Sequence, residues 1–135
     1  MISPLLKVMT FESVCFTVTS STTIIIVLLL YRPGSVAATD TFFIELISYL
    51  DVLGMYKCQI VIAGDFNIHV GTINDHNAVT LGDILASFDC VQHVLLQLTH
   101  RDGGTVDPVI SKGEQNLDEI MVDPPDIISD HSLIS

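Results

Sequence analysis

The run TTIIIVLLLY, residues 22–31, sets the first constraint on this chain. Its apolar part is only about half of the ~20 residues that a membrane-spanning helix requires. It opens with β-branched residues, has Thr-Thr before it and Arg-Pro-Gly after it. A short apolar run bounded in this way reads as a strand buried on both faces. Upstream, FESVCFTVT (11–19) is rich in strand formers and roughly alternates. Ser20-Ser21-Thr22 then predicts a turn, and the two strands pair as a hairpin. Pro33-Gly34 stops the second strand. The leading MISPLLKVMTFES is interrupted by Pro4 and Lys7, so no signal peptide is expected. With no spanning helix either, the expected setting is intracellular, in nucleus or cytoplasm, without membrane contact.

After Pro33-Gly34 the period changes. Phe43, Ile47 and Leu50 recur at helical spacing, with Ile44 and Leu46 widening the stripe. Thr39 or Asp40 is placed to cap this helix, and Gly54 to close it in a left-handed conformation. KCQIVIA (57–63) reads as a short buried strand. Strand, helix and strand of these lengths predict an α/β layer arrangement. A second helix is predicted at about 80–89, because Leu81, Ile84, Leu85 and Phe88 fit the helical template. Three more strands follow, at 91–98, 105–111 and 116–122, with a loop at 99–104. Pro108 weakens the strand at 105–111, since it cannot donate to a ladder.

At 135 residues the chain suits one domain with one core. It is 49% hydrophobic, with a mean hydropathy of +0.57, which is apolar for a free-standing domain. Yet 16 acidic residues face only 5 basic ones, for a net charge of −11. Lys7, Arg32, Lys57, Arg101 and Lys112 do not cluster in sequence. Tight binding of nucleic acid depends on Lys and Arg at phosphates, so charge alone argues against it. Excess carboxylate suits divalent cations better. Cys15, Cys58 and Cys90 are odd in number and far apart, which excludes a disulfide framework or zinc ribbon and predicts buried, reduced thiols.

Four polar features break the apolar pattern. Gly64-Asp65-Phe66-Asn67 ends the third predicted strand. On an extended backbone Asp65 and Asn67 share a side while Phe66 packs the other way. Gly64 permits close approach of a second backbone or a substrate. An ordinary turn after a strand uses the same residue types. Second, Ser129-Asp130-His131-Ser132 holds a carboxylate beside an imidazole, a pair suited to ligating a metal or contacting a phosphate, or simply to a solvated loop. Third, Asp107 lies within an apolar run, where an unpaired carboxylate is costly. It either orients a partner such as a histidine or faces water at an edge beside Pro108. Fourth, Tyr31 closes the second strand, placed to contact a phosphate or to pack at the core's rim. His69, His76, His93 and His100 show no metal-ligand spacing and read as non-ligands.

YRPG, IVIAGDFNIHV, THRDGGTVDPVI and SDHSLIS occur in that order. Together they resemble the endonuclease/exonuclease/phosphatase superfamily. The particular likeness is to the apurinic-type endonuclease domain of non-LTR (LINE-type) retrotransposons, over about residues 11–135. The resemblance implies an α/β fold, a two-sheet β-sandwich flanked by helices. Residues 1–135 are then one partial domain, lacking the N-terminal portion. It implies hydrolysis of phosphodiester bonds in DNA with Mg²⁺ or Mn²⁺. Tyr31 would contact the scissile phosphate, Asp65 would position or deprotonate water, and Asn67 would hold water and phosphate. Asp107 would orient His131, which stabilises charge on the phosphate. Asp130 would belong to the metal site, with Asp65 a second candidate ligand. The chain departs from the family in lacking its metal-binding glutamate motif: Glu12 is the only glutamate before the second strand, and it stands in a different context. Impaired or absent activity is therefore expected, with a non-catalytic structural or interaction role as the alternative. Self-association through open sheet edges is expected as well.

Overall fold

The computed structural model describes residues 6–70, 72, 74–94 and 106–113. Asp130, His131, the strand predicted at 116–122 and the loop at 99–104 lie outside the described residues. Strand β1 (Glu12–Thr19) and strand β2 (Ile24–Tyr31) form the predicted hairpin. They pair antiparallel through eight residues each, from Glu12 opposite Tyr31 to Thr19 opposite Ile24. The Ser20 amide closes the turn onto the Thr23 carbonyl at 2.9 Å.

Helix α1 (Asp40–Gly54) carries the chain over to strand β3 (Gln59–Asp65), which lies parallel to β2. Thr39 is the N-cap, its hydroxyl accepting from the Phe42 amide at 3.3 Å. Gly54 instead stays within the helix, and Met55 caps the end in a right-handed conformation. The buried stripe is Phe42, Phe43, Leu46, Tyr49, Leu50 and Leu53. Ile44, expected in that stripe, is 63% exposed because it projects from the opposite side of the helix.

Helix α2 (His76–Ser87) begins earlier than its apolar template suggested. The Asp75 carboxylate supplies the reason, accepting from the Asn77 and Ala78 amides at 2.9 and 3.2 Å. Among the described residues, strand β4 (Val91–Gln92) and strand β5 (Val109–Lys112) bring the mixed sheet to five strands, in the order β1-β2-β3-β5-β4. β5 starts directly after Pro108, so Asp107 sits on a bend leading into the strand rather than inside it. The missing proline donor accounts for the late start.

One face of the sheet holds the core. Ile26, Leu28 and Leu30 of β2, Ile60 and Ile62 of β3 and Ile110 of β5 cluster there with buried residues of both helices. The Tyr49 hydroxyl and Ser13 Oγ lie 2.8 Å apart on this face. Among the described residues, β2 is not fully covered on both faces as its sequence suggested. Its alternate residues Ile25 and Val27 are half-buried, and Leu29 is 43% exposed. Of the three cysteines only Cys15 is buried, whereas Cys58 and Cys90 are half-buried; all three are free thiols. No helix among the described residues is long and apolar enough to cross a membrane.

Candidate functional site

Because β2 and β3 run parallel, their C-terminal ends emerge side by side, with Tyr31 and Asp65 as register partners. The Arg32 amide extends the pairing by donating to the Asp65 carbonyl at 2.8 Å. Glu12 of β1 pairs with Tyr31 in turn. Glu12, Tyr31 and Asp65 therefore form a row across three strands at one end of the sheet. Register partners project to the same face, on strands spaced about 4.8 Å apart. Tyr31 is 49% exposed and Asp65 is half-buried.

Gly64 makes this approach of strands feasible. Its φ is +133°, and a Cβ built there would lie 2.0 Å from the Leu30 carbonyl oxygen. The close backbone approach suggested by the sequence is thus to β2. Beyond Asp65 the chain does not continue as an extended strand. Asn67 is left-handed, with a φ of 48°, a conformation that asparagine tolerates better than most residues. Its amide donates to Asp65 Oδ1 at 3.0 Å. Asp65 and Asn67 are brought together by this turn, not by simple two-residue alternation. Phe66, between them, is fully buried as expected.

Arg32 organises the turn. Only 4% of it is exposed. Its Nε donates to the Phe66 carbonyl at 2.7 Å and its Nη2 to the Asn67 carbonyl at 2.7 Å. Nη1 reaches the carbonyls of Val36 at 2.6 Å and Pro33 at 3.3 Å. In return Asn67 Nδ2 donates to the Arg32 carbonyl at 2.7 Å. The guanidinium also stands 5.6 Å from the centre of the Phe42 ring. Burial lowers the Arg32 pKa from its ordinary value, and the nearby negative charge of Asp65 opposes that shift. Gly34 leaves room for the Asn67 side chain, since a Cβ there would lie 2.8 Å from Asn67 Oδ1.

The Phe66 amide donates to the Val106 carbonyl at 2.9 Å. This bond ties the segment carrying half-buried Asp107 to the same end of the sheet. Tyr31, Asp65, Asn67 and the Asp107 segment thus converge, while Asp130 and His131 lie outside the described residues. Arg32 belongs to none of the four polar features that stand out in the sequence. Its signal was a cation directly between an apolar strand and Pro33 in a chain with few cations.

Among the described residues no group of three or more His, Cys, Asp or Glu is placed to hold a metal ion. Mg²⁺ is commonly held by one or two carboxylates with waters and phosphate oxygens. The Asp65 carboxylate is a donor of that kind, although one of its oxygens already accepts from Asn67.

No protein-family model and no curated protein matches the chain. A solved structure is similar: the endonuclease domain of TRAS1, a telomere-specific non-LTR retrotransposon, with a TM-score of 0.71 and 15% sequence identity. The match covers 90% of this chain and 61% of that one. The mixed sheet and its helices accordingly have an endonuclease/exonuclease/phosphatase-like fold, shared with the endonuclease domain of a non-LTR retrotransposon.

Proposed function

We propose that the chain is a nuclease-type phosphodiesterase domain of retrotransposon kind, acting weakly on DNA through the polar end of β2 and β3. The observation that carries this reading is the convergence of Tyr31, Asp65, Asn67 and the Asp107 segment at one sheet end in a nuclease-like fold. In-line hydrolysis of a phosphodiester needs a positioned water and stabilisation of charge on the phosphoryl oxygens. Asp65 would accept a proton from that water or orient it. Asn67, held by the Arg32 carbonyl, would keep water and phosphate in register. Tyr31 offers an exposed phenol as a donor to a phosphate oxygen. Asp107 would orient His131, whose imidazole would face the developing charge. A divalent cation, Mg²⁺ or Mn²⁺, would be held by Asp130 with Asp65 and would polarise the phosphate.

Low activity follows from charge. The chain carries a net charge of −11, and Arg32, the described cation nearest the turn, has its guanidinium spent on carbonyls. Among the described residues little remains there to attract a phosphate backbone. The same imbalance favours a second reading, a remnant with a structural or interaction role only. The test is nicking of supercoiled DNA with Mg²⁺ or Mn²⁺ by the purified chain, beside Asp65→Ala and Asn67→Ala. Slow nicking that falls at least tenfold in both variants supports the proposal. Identical traces for all three proteins favour the remnant.

A further inference from the structure

The opposite end of the sheet carries a concavity of mixed polar and apolar lining. It lies where β2 and β3 begin, about seven residue steps from the Tyr31–Asp65 end, which is roughly 23 Å along an extended strand. Its volume is about 640 Å³, and Thr22, Thr23, Tyr56, Lys57, Gln59 and Lys112 line it. No carboxylate is among the described lining residues. That composition contrasts with the chain as a whole, in which acidic residues outnumber basic ones by 16 to 5. The described cations are Lys7, Arg32, Lys57 and Lys112, and two of the four meet in this groove.

Neither lysine is committed to an ion pair among the described residues. Lys57 is exposed on the loop after α1. Lys112, half-buried at the end of β5, lies over the Phe88 ring at 5.8 Å. Its Nζ comes within 3.6 Å of where a Cβ on Gly54, the last residue of α1, would stand. The negative end of that helix and the ring face both favour a cation there and hold the ammonium at the groove wall. Thr22 and Thr23 add hydroxyl donors. Tyr56, 43% exposed, adds an aromatic surface. The volume falls within the roughly 300–1,000 Å³ usual for small-molecule sites.

We infer that this groove binds a phosphorylated small molecule of the nucleotide class, its phosphates on Lys57 and Lys112 and its base against Tyr56. The site is separate from the Asp65 end and does not depend on hydrolysis there.

Cys58 also lines the groove and provides the readout. The full chain is alkylated with iodoacetamide, with or without inorganic pyrophosphate or ADP at up to 5 mM, and each cysteine is followed by peptide mass spectrometry. Pyrophosphate is expected to slow Cys58 alkylation at least threefold and ADP to do so at lower concentration. Lys57→Gln with Lys112→Gln is expected to abolish the protection. Cys15, 3% exposed, reports whether that variant stays folded, because unfolding would make it reactive. Lys57→Gln alone changes an exposed side chain and keeps the test independent of folding. It is expected to raise the ligand concentration needed for protection at least fivefold. Unprotected Cys58 with both ligands, or full protection retained in Lys57→Gln, overturns the inference.

Discussion

Replacing Arg32 with methionine keeps an unbranched apolar stem and removes the fork that holds the Asp65–Asn67 turn. Four carbonyls lose a donor: Phe66, Asn67, Val36 and Pro33. Val36 is 64% exposed and the Pro33 bond is long, so both can turn to water. Phe66, fully buried, and half-buried Asn67 have less access to a replacement. Each hydrogen bond to a charged group contributes about 1.5–3 kcal/mol, so the two together come to roughly 3–6 kcal/mol. Relief of the buried guanidinium's desolvation offsets part of this, leaving a net loss of about 2–4 kcal/mol. Urea unfolding followed by circular dichroism reads it directly. With a slope of about 2 kcal/mol per molar, the midpoint should fall by roughly 1–2 M. Arg32→Lys keeps the charge but cannot direct donors to the Phe66, Asn67 and Val36 carbonyls together. It should lie between the other two proteins. A midpoint unchanged in Arg32→Met would refute the hub, and a wild-type midpoint in Arg32→Lys would refute the role given to fork geometry.

Gly64→Ala should prevent β2 and β3 from pairing, at a cost above about 3 kcal/mol, since the position combines positive φ with backbone contact. Its amide protection in β2 should collapse, and a native exchange pattern would contradict that. Glu45 reports on the segment before β1. Burial raises its pKa, but hydrogen bonds from the Thr10 hydroxyl and the Met9 and Thr10 amides outweigh this, and the net shift is downward. A carboxyl depressed in the folded state adds stability above its unfolded pKa, near 4.3, and that stability is lost as pH falls through the folded value. Met9 and Thr10 amide protection should therefore drop as the pH is lowered through the depressed folded pKa of Glu45, and Glu45→Gln should remove the dependence. The half-exposed apolar face of β1 and β2, with Val14 at 54% and Leu29 at 43% exposure, predicts concentration-dependent association of copies. Light scattering that shows only monomer at high concentration would oppose it.

Much of the frame is legible in the residues. The hairpin follows from two β-rich segments around Ser20-Ser21-Thr22, and α1 from its period together with the Thr39 cap. What escaped depends on tertiary placement. Which face of β2 lies open is decided by where the helices pack, and no local pattern states it. The length of α2 was hidden because its first turn is fixed by the Asp75 cap rather than by apolar spacing. At the site, the Gly-Asp-Phe-Asn string marked the right end of β3 and correctly assigned Phe66 to the core. The left-handed Asn67 and the carbonyl nest of Arg32 were not readable, since both arise from chain segments about 35 residues apart.

Strand nicking tests the polar end of β2 and β3 as a phosphodiesterase site. The wild-type chain, Asp65→Ala and Asn67→Ala are incubated with supercoiled plasmid in Mg²⁺ or Mn²⁺, with EDTA controls, and relaxed circles are quantified over time. Slow, cation-dependent nicking by the wild type that drops at least tenfold in both variants is the expected result. Relaxed circles that form equally with all three proteins, or not at all, would contradict a phosphodiesterase site at the end of β2 and β3.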